Sequence, residues 1–191
     1  MTLQVKAAVF LDRDGTMNVD VGYLDRVERF KLFPWTLEAV RLLRNSGYYV
    51  VVVTNQSGVA RGMVDETFVE EIHQLMQEDL AMVGSQLDGL YYCPHESDAL
   101  VRKYRMECDC RKPKSGLIAR AVADLDIDVS KSFVVGDKWS DIGLAQNVGA
   151  RGVLVRTGYG RSQEQQPVDG VVPEAVVDTL MDAVGWIIRH P

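Results

Sequence analysis

Several things are scarce in this sequence, and each scarcity excludes something. Cations are in the minority: 21 Lys and Arg against 27 Asp and Glu leave a formal charge of -6. That balance offers no basic footprint for nucleic acid and little attraction to an anionic membrane surface. An anionic ligand would have to be met by locally placed cations. Long apolar runs are missing too. The longest are strand-sized, such as Tyr48 to Val53, and the apolar C-terminal segment is interrupted by Glu174, Asp178 and Asp182, so no stretch is expected to span a bilayer. The first residues lack the charged start, apolar middle and small-residue cleavage site of a secretory leader, and a cytoplasmic protein is expected. Cysteine is rare: Cys93, Cys108 and Cys110 are an odd number crowded into one segment. They are poor material for a disulfide framework and better material for a metal. There is no internal repeat or low-complexity tract, and the polar stretch Gly158 to Pro167 reads as a surface loop.

What is present is an ordinary globular composition, 47% apolar and 25% charged over 191 residues, enough for one full core. A single domain over residues 1–191 is expected. Apolar, β-branched runs at Ala7 to Leu11, Tyr48 to Val53, Leu87 to Tyr92, Ser132 to Val135 and Val153 to Val155 read as buried strands. Helical spacing separates them. A helix begins at Pro34 and ends near Asn45-Ser-Gly47; a second follows the N-cap candidate Asp65. Others cover Gly116 to Leu125 and Ser140 to Asn147, and a last one is expected over Val176 to Ile188. Strands alternating with helices imply an α/β fold, a Rossmann-like three-layer sandwich around a mostly parallel sheet.

The chemistry gathers where strands end. The first strand stops at Asp12 and Asp14, the second at Thr54 and Asn55, the fourth at Gly136-Asp137. Parallel strands put all three loops on one edge of the sheet, where open α/β sheets bind ligands. Converging carboxylates repel unless a cation neutralises them. Mg²⁺ bridging Asp12, a backbone carbonyl and Asp137 would do so and would let an anionic substrate approach. Asp12 is then a candidate nucleophile toward phosphorus, forming an aspartyl-phosphate. Asp14 is suited to protonate the leaving oxygen, Thr54 to bond the phosphoryl oxygens, and Lys112 to neutralise their charge.

Asp12-Arg-Asp-Gly-Thr16, Thr54-Asn55, Lys112-Pro113 and Gly136-Asp137 resemble the four motifs of the haloacid dehalogenase (HAD) superfamily of phosphatases, in the family's order across residues 7 to 157. The resemblance implies Asp12 as nucleophile, Asp14 as acid and base, Thr54 and Lys112 as phosphoryl stabilisers, and Mg²⁺ on Asp12, the main chain of Asp14, and Asp137. It places Asp141 just behind the metal ligands. There is no large insertion between Asp14 and Thr54, so only a minimal cap is expected.

Cys93-Pro-His95, twelve residues, then Cys108-Asp-Cys110 make a Cys₃His donor set, suited to tetrahedral Zn²⁺ with no position left for water. Such an ion would clip the loop 93–110 and fix the direction of Arg111 and Lys112 just beyond it. HAD phosphatases with this zinc loop fall into two subgroups, heptose-bisphosphate and histidinol-phosphate phosphatases. The longer loop, Asn18 to Tyr23, Thr54 to Gly62 and Gly136-Asp-Lys138 are similar to the former. That subgroup implies removal of the 7-phosphate from a heptose 1,7-bisphosphate on the ADP-heptose route to lipopolysaccharide. It also implies a monomer, with substrate contacts at Asp20, Val21, Gly22, Tyr23, Asn55, Gln56, Ser57, Arg111 and Lys138. The alternative is a histidinol-phosphate phosphatase of histidine biosynthesis.

Overall fold

The computed structural model describes residues 5–191. Six strands form one sheet: β1 (Ala8–Leu11), β2 (Tyr49–Asn55), β3 (Gly89–Cys93), β4 (Phe133–Gly136), β5 (Arg151–Val155) and β6 (Ala175–Val177). Their order is β3-β2-β1-β4-β5-β6, and every neighbouring pair is parallel. β1 sits in the middle. The chain builds outward from it to β3, then crosses back to β4 on its other side, so the sheet's switch point lies at the end of β1.

Strand residues alternate between two cores, as the two-residue period of a strand requires. Val9, Leu11, Val50, Val52 and Val135 face one side, with α1 (Thr36–Asn45), α3 (Glu66–Met82) and α7 (Leu180–Arg189). Phe10, Val51, Val53 and Val134 face the other, with α4 (Gly116–Leu125) and α5 (Trp139–Val148). Both faces are covered, which is why the strands read as unbroken apolar runs. The shorter α2 (Ser57–Ala60) and α6 (Gly160–Glu164) lie in loops beyond strand ends. The expected α/β class is therefore the one found. Among the described residues no helix is long and apolar enough to cross a membrane.

Three local expectations need correction. β2 runs two residues past Val53, because its ladder with β3 continues through Thr54–Tyr92 to Asn55–Cys93. The stretch 158–167 is not all loop, since α6 occupies its middle. The helix expected from Val176 begins at Leu180 instead. Ala175, Val176 and Val177 pair with β5 as a sixth strand. A capping box then starts the helix: the Thr179 hydroxyl accepts the Asp182 N–H at 3.2 Å, and the Asp182 carboxylate accepts the Thr179 N–H at 3.0 Å.

Candidate active site

The carboxyl edge of the sheet carries a cleft of about 290 Å³, walled by the loops after β1, β2, β4 and β5. Asp12 is placed there by the sheet itself: its N–H donates to Val135 O at 2.9 Å, extending the β1–β4 ladder by one residue. The chain then turns. Asp12 Oδ1 accepts the N–H of Arg13 at 2.8 Å. The same oxygen takes the Lys112 ammonium at 2.8 Å. That ammonium also meets Asp141 Oδ1 at 2.6 Å and Val53 O at 2.9 Å. Its three donors are thus used, and the side chain is almost sealed from solvent. Burial would lower the Lys112 pKa, but Asp12 and Asp141 outweigh it and hold the ammonium charged.

Asp137 is fully buried opposite Asp12. Its Oδ2 accepts the Tyr159 N–H at 2.7 Å, whereas Oδ1 has no hydrogen-bond partner among the described residues. Burial and the neighbouring Asp12 charge push its pKa up to about 8, and burial likewise raises Asp141 to about 6. Two glycines with left-handed φ, Gly15 (+85°) and Gly158 (+54°), lie so close to Asp137 that a Cβ on either would strike its carboxylate. Ligand oxygens of Asp12, Asp137 and Asp141 lie within 4.8 Å of one another. An orphaned carboxylate oxygen, a cradle of glycines and an all-oxygen donor set fit a hard divalent cation. Asp141 enters this group more closely than the sequence suggested.

Asp14 points its side chain elsewhere. Its carboxylate accepts from Arg13 Nε and Nη2 (3.3 and 2.9 Å), Asn18 Nδ2 (2.9 Å) and Gln56 Nε2 (2.8 Å). Burial alone would raise its pKa, but Arg13 and these donors outweigh burial and lower it. His73, on α3, closes the far side of Arg13 at 3.5 Å; burial and the guanidinium push its pKa down to about 3. Gln56 also donates to Thr54 Oγ1 at 2.9 Å, tying the second motif to the first.

Of the substrate contacts expected from the sequence, Asp20, Gly22, Tyr23, Asn55, Gln56, Ser57 and Lys138 line the cleft with Asp12, Asp14, Thr54 and Lys112. Lys138 bridges toward Asp20 at 3.4 Å and lies 4.7 Å from the Tyr159 ring centre. Two residues lie outside the cleft. The carbonyl of Val21 is taken by Arg29 Nη2 at 3.0 Å, and its side chain packs on the core. Arg111 is turned into the cysteine loop, donating to His95 O at 3.1 Å and to Glu96 at 3.4 Å. Tyr159 and Ser140, to which the sequence assigned no role, also line the cleft. The signal for Tyr159 was available, since β5 also ends on this edge.

The cysteine loop closes on itself. The sulfur atoms of Cys93, Cys108 and Cys110 stand 3.1 to 3.5 Å apart, and His95 Nδ1 is 3.3 Å from Cys110 Sγ. A disulfide would need about 2.05 Å. A tetrahedron with metal–sulfur bonds of about 2.3 Å has edges of ~3.8 Å, so the four donors fit around one ion. Asn55 joins this loop's exit to the cleft: its side chain accepts the Lys112 N–H at 3.0 Å and donates to Lys112 O at 3.3 Å.

A parallel sheet that delivers an aspartate pair, a threonine, a buried lysine and a further aspartate to one edge is the arrangement of a HAD-like hydrolase. The HAD-hydrolase-like family profile matches residues 109–183. The chain is 43% identical over 174 residues to the D-glycero-beta-D-manno-heptose-1,7-bisphosphate 7-phosphatase of Haemophilus influenzae, covering 90% of this chain and 93% of that one. It is 46% identical over 173 residues to the protein of the same name from Escherichia coli, covering 90% of each. A solved structure of the D,D-heptose 1,7-bisphosphate phosphatase from B. bronchiseptica, complexed with magnesium and phosphate, superposes with a TM-score of 0.85 at 30% identity, over 97% of this chain and 99% of that one. The chain belongs to the family of HAD phosphatases that these relatives represent.

Proposed function

We propose that this protein hydrolyses the 7-phosphate of D-glycero-β-D-manno-heptose 1,7-bisphosphate through an aspartyl-phosphate on Asp12. The observation that carries the reading is the buried Lys112 ammonium, 2.8 Å from Asp12 Oδ1 at the mouth of a cleft that also holds Asp14 and Thr54. The names of the relatives supply the substrate. Asp12, Asp137 and the main chain of Asp14 would hold Mg²⁺. Bound there, the ion supplies Lewis-acid polarisation and a template on which two anions can meet. Cys93, His95, Cys108 and Cys110 would hold a structural Zn²⁺.

Asp12 attacks phosphorus as the ester P–O bond breaks, and Asp14 gives a proton to the departing sugar oxygen. Asp14 then takes a proton from water as the water attacks phosphorus, which releases phosphate and frees Asp12. Thr54 would bond the phosphoryl oxygens, and the Lys112 charge beside Asp12 would offset theirs. Asp20, Tyr23, Ser57 and Lys138 are the groups we assign to the remainder of the sugar bisphosphate. Residues 1–191 act in this reading as one catalytic domain, a cytoplasmic monomer with no nucleic-acid or membrane partner. The product would feed ADP-heptose and lipopolysaccharide synthesis. Phosphate release from the heptose bisphosphate and from histidinol phosphate, measured at one enzyme concentration, tests the assignment. Faster release from histidinol phosphate would overturn it.

A further inference from the structure

Tyr159 carries the one side chain of the turn Gly158-Tyr159-Gly160, and packing explains why its neighbours have none. A Cβ on Gly158 would strike the Asp137 carboxylate, and one on Gly160 would strike the Val155 carbonyl. Both polar groups of the Tyr159 main chain are tied down. Its N–H donates to Asp137 Oδ2 at 2.7 Å, and its carbonyl accepts Ser162 Oγ at 2.7 Å and the Gln163 N–H at 2.9 Å. The residue is nevertheless 47% exposed, and it lines the cleft. An exposed aromatic ring by itself signifies little. This one is set apart because its base is fixed by the aspartate that stands opposite Asp12.

Among the residues lining the cleft the only other aromatic is Tyr23, from the loop after β1. Beside Tyr159, the Lys138 ammonium stands 4.7 Å from the ring centre. It reaches Asp20 at 3.4 Å, its one hydrogen-bond partner among the described residues. An aromatic surface next to a cation with donors to spare suits a ligand that is apolar on one side and polar on another. A pyranose is such a ligand, with C–H groups on its faces and hydroxyls at its rim. In a heptose 7-phosphate two carbons separate the reacting group from the sugar ring. With phosphorus at the buried Asp12, the sugar ring lies farther out, toward the half-exposed Tyr159 and Lys138.

We infer that Tyr159 is a specificity-determining contact: its ring packs against the C–H face of the sugar that carries the phosphate, and Lys138 meets the hydroxyls beside it. This role depends on the heptose bisphosphate reading of the site. The ring holds the sugar without touching the reacting atoms. A contact made equally in the bound and transition states lowers KM and leaves kcat alone.

Because the Tyr159 N–H belongs to the main chain, Tyr159→Ala removes the ring and keeps the bond to Asp137. Its KM for the heptose bisphosphate should rise by about 10-fold, the scale of one aromatic contact, with kcat within about 2-fold of the parent. Acetyl phosphate has neither a sugar nor an aromatic ring of its own, and the loss of kcat/KM on it should be smaller by about 5-fold or more. Tyr159→Phe keeps the ring and should restore the parental KM. In a Lys138→Met background, Tyr159→Ala should again raise KM by about 10-fold. No further rise there would mean that the ring acts only by holding the ammonium, and would overturn the proposal. So would equal losses on both substrates, an unchanged KM, or a Phe variant as poor as the Ala one. A parent enzyme that handles the heptose bisphosphate no better than acetyl phosphate would instead remove the proposed function, and this contact with it.

Discussion

Lys112 Nζ stands 2.8 Å from Asp12 Oδ1, and neither side chain has more than a few per cent of its surface in water. With Asp141 on its other side at 2.6 Å, one ammonium is shared by two buried carboxylates. Removing one member of such a group leaves uncompensated charge, which typically costs about 3–5 kcal/mol. Lys112→Ala should therefore destabilise the fold by roughly that amount, read in urea titrations, besides losing activity. Adding Asp141→Asn should recover part of the stability and none of the turnover. Equal stability of Lys112→Ala and the parent would contradict the pairing.

Asp12→Asn should keep the fold, because the amide fills the same space and its oxygen still accepts from Arg13 N and Lys112. Turnover should fall by roughly 10³-fold or more, about 4 kcal/mol in barrier. Rapid quench with labelled substrate should trap a phosphorylated protein in the parent and none in the variant. Substantial hydrolysis by the variant would mean that water attacks phosphorus directly.

His73 gives a pH dependence of known sign. Its pKa lies near 6.5 in an unfolded chain and is pushed down to about 3 in the fold by burial and Arg13. Above 6.5 neither state binds a proton there, and the stability of the neutral packing is fully present. Below it the unfolded chain binds a proton that the folded one refuses, so stability falls as pH drops from 6.5 toward 3. Between pH 7.5 and 5 the parent should lose about 2 kcal/mol more than His73→Gln. Parallel losses in the two proteins would show that the ring is protonated where it sits.

Stripping the cysteine loop of metal should reduce activity without abolishing Mg²⁺ binding. Elemental analysis should find about one zinc per chain in the parent and less in Cys110→Ser, with turnover falling in step. Unchanged turnover in a protein shown to be zinc-free would separate the loop from catalysis.

The sheet and most helices were legible because burial on both faces makes strands into plain apolar runs, and because Asp65 carries its cap in sequence. β6 was not: three residues of edge strand lie directly against an amphipathic helix, and only the Thr179–Asp182 box marks the boundary. At the site, the strand-end groups could be placed from topology alone, since parallel strands share an edge. Arg111 could not, because sequence adjacency to Lys112 says nothing about which way a guanidinium turns, and Glu96 draws it into the loop. Val21 was equally illegible, since its carbonyl is held by Arg29 and its side chain packs on the core.

Cys93 closes β3 in register with Asn55, and Asn55 holds both main-chain groups of Lys112. Ladder pairing and one amide thus join the sulfur cluster to the nucleophile's counter-ion, alongside the two-residue step of chain from Cys110 to Lys112. Cys108, the one thiol of the three that is partly exposed, is the natural entry for an oxidant. Oxidation there would loosen one of the four donors that fix the loop, and the shift would reach the cleft through Asn55 and Lys112.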